Sequence, residues 1–277
     1  MEYSRICCVL SGGGAKAAAH VGAFRAFQEW ELAPAQFVGT SMGAVVAACF
    51  ASGLDYDEVL KRIAVLSRRE VASPSRTLLL GPFASSLLRG DPLKDAIASL
   101  VPARRFSDLR IPLTVTAVDS RNGQLALFGE GGKPHVPLVE ALYASCALPL
   151  YYPPGRIGDR DYVDGGLRAV LPLDVAAGFD PDLVLAVSVG PSLLAEAAEE
   201  EAVVPPMVRA HNDAIRILMA AQTEDTIARW KDAPVPLVLV RPHLNQRATF
   251  ALGSVISYVE EGYRAANRAL HQWRGRR

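Results

Sequence analysis

Residues 6–14, ICCVLSGGG, run directly into AKAAAHVGAFRAFQEW (15–30), and this junction decides the fold. Ile6 to Leu10 make a short β-like run, Ser11-Gly12-Gly13-Gly14 ends it, and the residues beyond have helical composition with Val21, Phe24 and Phe27 along one stripe. The same order then repeats. Gln36-Phe37-Val38 enters Gly39-Thr40-Ser41-Met42-Gly43, and AVVAACFASG (44–53) follows as a helix of small apolar residues ending at Gly53. A helix apolar nearly all round must be buried. Strands alternating with helices predict layers of helix on a largely parallel sheet, a three-layer α/β/α sandwich.

Further along, IPLTVTAVD (111–119) and QLALF (124–128), separated by an Asn122-Gly123 turn, predict a hairpin. LVLAVSVG (183–190) and VPLVLVRP (235–242) read as fully buried strands. A helix is expected from about 207 to 230, and GSVISYVEEGYRAANRALHQW (253–273) closes the chain as an amphipathic helix. The acidic run AEAAEEEAVV (195–204) reads as a solvated loop or helix face. No repeat or interdomain linker interrupts residues 1–277, so a single domain is expected. Residues 55–105 look like a mostly helical, cap-like insertion broken by Pro74, Gly81-Pro82 and Gly90-Asp91-Pro92. Within it TLLLGPFASSLL (77–88) is a candidate lid, with plain core as the competing reading.

Lys plus Arg equals Asp plus Glu at 29 each, and 50% of residues are hydrophobic, so nothing points to nucleic acid. A neutral or apolar partner fits better. The first ten residues lack the pattern of a signal peptide, which leads us to expect a cytoplasmic chain. No apolar run reaches the roughly 18 to 20 residues needed to span a bilayer, so membrane contact is expected to be peripheral. Cys7, Cys8, Cys49 and Cys146 sit among apolar neighbours without zinc-site spacing, and read as buried thiols. No metal and no cofactor is expected. The sequence is silent on oligomeric state.

Gly39-Thr40-Ser41-Met42-Gly43 fits G-x-S-x-G, in which a strained strand-to-helix turn lifts a serine hydroxyl clear of the backbone. Such a nucleophile needs amides aimed at a developing oxyanion, and a glycine run opening a helix supplies them. Gly12-Gly13-Gly14 is such a run. Gly12, Gly14 and Ala17 also satisfy G-x-G-x-x-G/A, so a nucleotide-binding oxidoreductase is the second reading. That fingerprint wants an acidic residue at the end of the second strand, and here the strand runs into the serine turn. A P-loop fails because Lys16 is not placed as G-K-S/T.

SGGGAKAAAHVG, GTSMG and the DGG at 164–166, in that order, resemble the patatin-like phospholipase family. TAVDSRNG (116–123), ASCALPLYYPP (144–154) and VEEGYRAA (259–266) agree with its usual pattern, so the likeness covers nearly the whole chain. The resemblance implies a patatin-like sandwich and a Ser-Asp dyad acting on acyl lipids, with Ser41 as nucleophile and Asp164 as base. It also implies an oxyanion hole from Gly12, Gly13 and Gly14 with Lys16 at the basic position. Gly39 and Gly43 would shape the nucleophile turn, Gly165 and Gly166 the aspartate turn. A third reading is a lipid-binding or regulatory relative that turns over little.

One departure is Ala17, where the family usually has glycine. A helix already begun at 17 would accommodate alanine; a positive φ there would not. Among other carboxylates, Asp119 matches a different family position, and Asp159 and Asp161 read as part of a polar turn. His211, His243 and His271 follow Asp164, as a Ser-acid-His triad would require, but Ser41 comes after only the second strand, too early for the usual hydrolase sheet.

Overall fold

Side chains of β1 (Ile6–Leu10) alternate between two cores: Ile6, Cys8 and Leu10 pack into one, Cys7 and Val9 into the other. That is the period of a strand covered on both faces. The structure is a computed structural model and describes residues 3–66, 73–75, 86–192, 205–244 and 255–275. After β1 come a 3₁₀ turn (Gly14–Ala17), α1 (Ala18–Glu29), β2 (Gln36–Thr40), α2 (Met42–Ala51), α3 (Tyr56–Ala64) and α4 (Gly90–Leu100). Then follow β3 (Leu113–Asp119), β4 (Leu125–Gly129), α5 (Leu138–Cys146), β5 (Gly155–Ile157), β6 (Arg160–Asp164), α6 (Gly166–Ala169) and α7 (Leu173–Ala177). The chain ends with β7 (Leu183–Val187), α8 (Pro206–Trp230), β8 (Leu237–Val240) and α9 (Val255–Gly275).

These strands form one mixed sheet. β3, β2, β1, β7 and β8 lie side by side in parallel. β4 pairs antiparallel with β3, as the hairpin pattern predicts, and β6 is antiparallel to both β3 and β5. One face is covered through Phe24 of α1, Val45 of α2, Val59 of α3, Ile97 of α4, Leu142 of α5 and Tyr258 of α9. The other is covered through Leu173 and Ala176 of α7 and Trp230 of α8. This is the expected three-layer arrangement. α1 and α9 meet at backbone contact: a Cβ on Gly22 would collide with the Val259 carbonyl, and one on Gly262 with that of Ala19.

The register of β3 positions the site. One edge of β3 pairs with β4 through Thr114 to Val118. The other edge is shared, with Leu113 to Thr116 pairing with β2 and Ala117 to Asp119 with β6. Because β2 runs parallel to β3 and β6 antiparallel, these two strands approach head on. β2 ends with Thr40 opposite Thr116, and β6 ends with Asp164 opposite Ala117.

The β5–β6 hairpin has no counterpart in the sequence reading. Asp161 lies inside β6 and pairs with Arg156 of β5 across the ladder, whereas only Asp159 sits in the connecting turn. Three of its five residues, RDYVD, are charged and it shows no apolar run, so the strand is fixed by pairing with β3. Of the candidate lid, residues 77–85 lie outside the described residues, as does the acidic run 195–204. On either side of that segment in the sequence, α3 and α4 bury Val59, Ile63, Leu93 and Ile97 in the main core. The amides of Leu87 and Leu88 donate to the carbonyls of Leu150 and Tyr151.

Candidate active site

Ser41 leaves β2 with φ 53° and ψ −136°, a left-handed conformation unusual for a residue with a side chain, and caps α2. The turn is tight because its flanks are glycine. A Cβ on Gly43 would strike the carbonyls of Leu10 and Ser11, and one on Gly39 would lie 2.5 Å from the Ala44 Cα. Thr40 anchors the turn from below, its hydroxyl bonded to the Ala169 carbonyl at 2.7 Å and to the Thr116 hydroxyl at 2.7 Å.

The Ser41 hydroxyl donates to Asp164 Oδ2 at 2.7 Å. The other carboxylate oxygen, Oδ1, accepts the Gly166 amide at 2.7 Å. Both side chains are buried. Burial pushes the Asp164 carboxyl up to about 6, the bonds from Gly166 and Ser41 offsetting part of the rise. Sequence reading paired these two residues, and the fold brings them into direct contact.

The C-terminal end of α5 holds both turns. Ser145 accepts the Ser41 amide on its Oγ at 2.7 Å, and its carbonyl accepts the Gly165 amide at 3.3 Å. The Ala147 carbonyl accepts the Asp164 amide at 3.0 Å. Ser145, wholly buried, was not singled out from sequence. It lies in the ASCALPLYYPP stretch that agrees with the family pattern, and its local signal is a hydroxyl in an otherwise apolar helical run, LYASC.

In the glycine loop, the Gly12 amide donates to the Val170 carbonyl at 3.1 Å. Gly12 was expected among the oxyanion donors; its amide is already committed, so it ties the loop down instead. Among the described residues the amides of Gly13 and Gly14 have no protein acceptor. Gly14 has φ 59°, which only glycine adopts without strain. Ser11 holds the loop's start, its Oγ accepting the Val189 amide at 2.8 Å and its carbonyl bonded to His20 Nε2 at 2.9 Å. His20 is fully buried and burial lowers its pKa to about 4, so the ring is neutral and the proton sits on Nε2.

Lys16 is 3% exposed, and among the described residues its ammonium has no hydrogen-bonded or ionic partner; burial lowers its pKa to about 8. Ala17 has φ −59° and ψ −16°, helical values that suit alanine. Asp119 is bound to Arg160 at 2.7 Å and to the Arg121 amide at 2.9 Å, a structural knot. Among the described residues no histidine bonds to Ser41 or Asp164; the His243 amide donates to Glu261, and His271 packs edge-on against Trp30. The four cysteines are buried and unpaired in disulfides. Among the described residues, no group of three or more His, Cys, Asp or Glu could hold a metal ion, and no helix is long and apolar enough to cross a membrane. Where a dinucleotide site would need an acid at the end of β2, the chain has Thr40 and the Ser41 turn.

A family model described as patatin-like phospholipase matches residues 8–177. An uncharacterized NTE family protein of Mycobacterium tuberculosis is 33% identical over 199 residues, 71% of this chain and 52% of that protein. Patatin-like phospholipase domain-containing protein 7 of Rattus norvegicus is 30% identical over 189 residues, 67% of this chain and 14% of that protein. The match thus spans about half the length of the mycobacterial relative. Among solved structures, VipD from Legionella pneumophila shares the fold, with a TM-score of 0.52 and 13% identity over 98% of this chain and 67% of that one.

Proposed function

The chain belongs to the patatin-like phospholipase family, and on that premise we propose that it is a serine lipid acyl hydrolase using a Ser41–Asp164 dyad. The observation that carries this reading is the 2.7 Å bond from the Ser41 hydroxyl to a buried carboxylate of raised pKa. A carboxylate at its ordinary pKa is a weak base near neutrality. Desolvation that raises Asp164 to about 6 makes it a better proton acceptor while leaving it mostly ionised at pH 7.

In the first half-reaction Ser41 Oγ attacks the ester carbonyl carbon and its proton passes to Asp164 Oδ2. The carbonyl oxygen becomes an oxyanion, received by the amides of Gly13 and Gly14, which have no acceptor among the described residues, at the start of the first helical segment. Collapse breaks the ester C–O bond, and the leaving oxygen takes the proton from Asp164 to depart as the alcohol. Water then attacks the acyl-enzyme, Asp164 accepts its proton, and collapse returns that proton to Ser41 Oγ with release of the carboxylic acid. The dyad needs no histidine because serine and carboxylate already touch.

The substrate class is a carboxylic ester of an acyl lipid, taken from a peripheral position on a membrane or micelle, in a cytoplasmic setting. The test is a panel of p-nitrophenyl esters and phosphatidylcholine vesicles presented to the chain and to Ser41→Ala. Acyl release that disappears in Ser41→Ala supports the reading; release from neither ester class, with a correctly folded chain, removes it.

A further inference from the structure

Ser145 is the residue in which the two catalytic turns meet, and we infer that it is a positioning residue that fixes the Ser41–Asp164 separation. The inference rests on the dyad reading and adds a residue to it. At φ 53° the Ser41 amide belongs neither to the β2 ladder nor to α2, and it is buried. A buried amide requires an acceptor. Ser145 Oγ provides one at 2.7 Å, so the main chain of the nucleophile is held by a side chain of α5. The carbonyl of the same residue, free because it lies in the last turn of α5, accepts the Gly165 amide at 3.3 Å.

One rigid residue therefore grips the nucleophile on one side and the residue after the base on the other. Neither grip is made by sheet pairing. Thr40 and Asp164 are registered on β3, but Ser41 and Gly165 lie just past the ends of their strands, where the ladder no longer constrains them. The bond also removes the Ser41 amide from the set of oxyanion donors.

Three substitutions separate positioning from packing. Ser145→Ala removes the acceptor, Ser145→Cys keeps the volume with a poor acceptor, and Ser145→Thr keeps the hydroxyl. With p-nitrophenyl butyrate, Ala and Cys are expected to lose ~10- to 100-fold in kcat with KM changed less than about twofold, since small misplacement of reacting groups acts on rate. Threonine should recover at least about a third of the parent kcat. Fluorophosphonate labelling of Ser41, measured well below each melting temperature, should slow in parallel with kcat. If threonine does not fold, the labelling rates of Ala and Cys against the parent decide. Undiminished labelling in both, whatever their melting temperatures, overturns the positioning role alone. No labelling of the parent chain overturns the dyad reading and this role with it.

Discussion

Ser41 Oγ and Asp164 Oδ2 stand 2.7 Å apart although 123 residues separate them in the chain. They meet because β2 and β6 enter one edge of β3 from opposite ends.

The proposed dyad has no spare base. Ser41→Ala and Asp164→Asn are each expected to lower kcat by at least about 10³-fold, and the double variant should fall little further, because the two groups act as one unit. Rates on a soluble p-nitrophenyl ester, with circular dichroism to verify folding, check this. Substantial activity in either folded variant would remove the dyad.

The pH dependence follows from the pKa of Asp164, raised to about 6 by burial. As the proposed base it must be ionised to act, so kcat/KM should climb through pH 6 and level off above it. Stability moves the other way. Between about 4 and 6 the native state holds a proton that the unfolded chain has released, so stability falls as pH rises through that window. Asp164→Asn should therefore be more stable than the parent above pH 6, by up to roughly 3 kcal/mol, and lose that advantage near pH 4. Denaturant melts at pH 4 and pH 8 provide the comparison.

Lys16 is a second buried charge, with its pKa lowered from 10.5 to about 8. Between about 8 and 10.5 the unfolded chain holds a proton that the native state has given up, so stability rises with pH there, and below 8 the full cost of the buried ammonium is present. Lys16→Met is expected to be more stable than the parent at pH 7, on the order of 3 kcal/mol at most, with the gap closing toward pH 10.5. Urea midpoints at the two pH values measure it. An unchanged midpoint at pH 7 would mean the ammonium reaches water.

His243 separates the dyad from a triad. Its amide is bonded to Glu261, and its ring has no bond to Ser41 or Asp164. His243→Gln should lower kcat less than about tenfold, against the ~10²- to 10⁴-fold typical of losing a general base. A loss near a thousandfold would restore a catalytic role for that ring.

Much of this protein was determined locally. The apolar run Ile6 to Leu10, its glycine stop and the helix after it are legible because strand period, turn chemistry and helix composition are each set by near neighbours. The same holds for the Ser41 turn, whose flanking Gly39 and Gly43 exist to let backbone approach backbone. Asp164 was found by resemblance rather than by physics, since a lone Asp before two glycines is an ordinary turn signal. Contacts between segments far apart in the chain arise only once the sheet is assembled. The β6 strand carries charges where an apolar pattern would announce it, and owes its form to the β3 edge. The Gly12 amide is spent on Val170, and the Ser41 amide on Ser145, by hydrogen bonds that no local pattern encodes. A buried amide must find an acceptor, but the sequence does not say which distant residue the fold will bring to it.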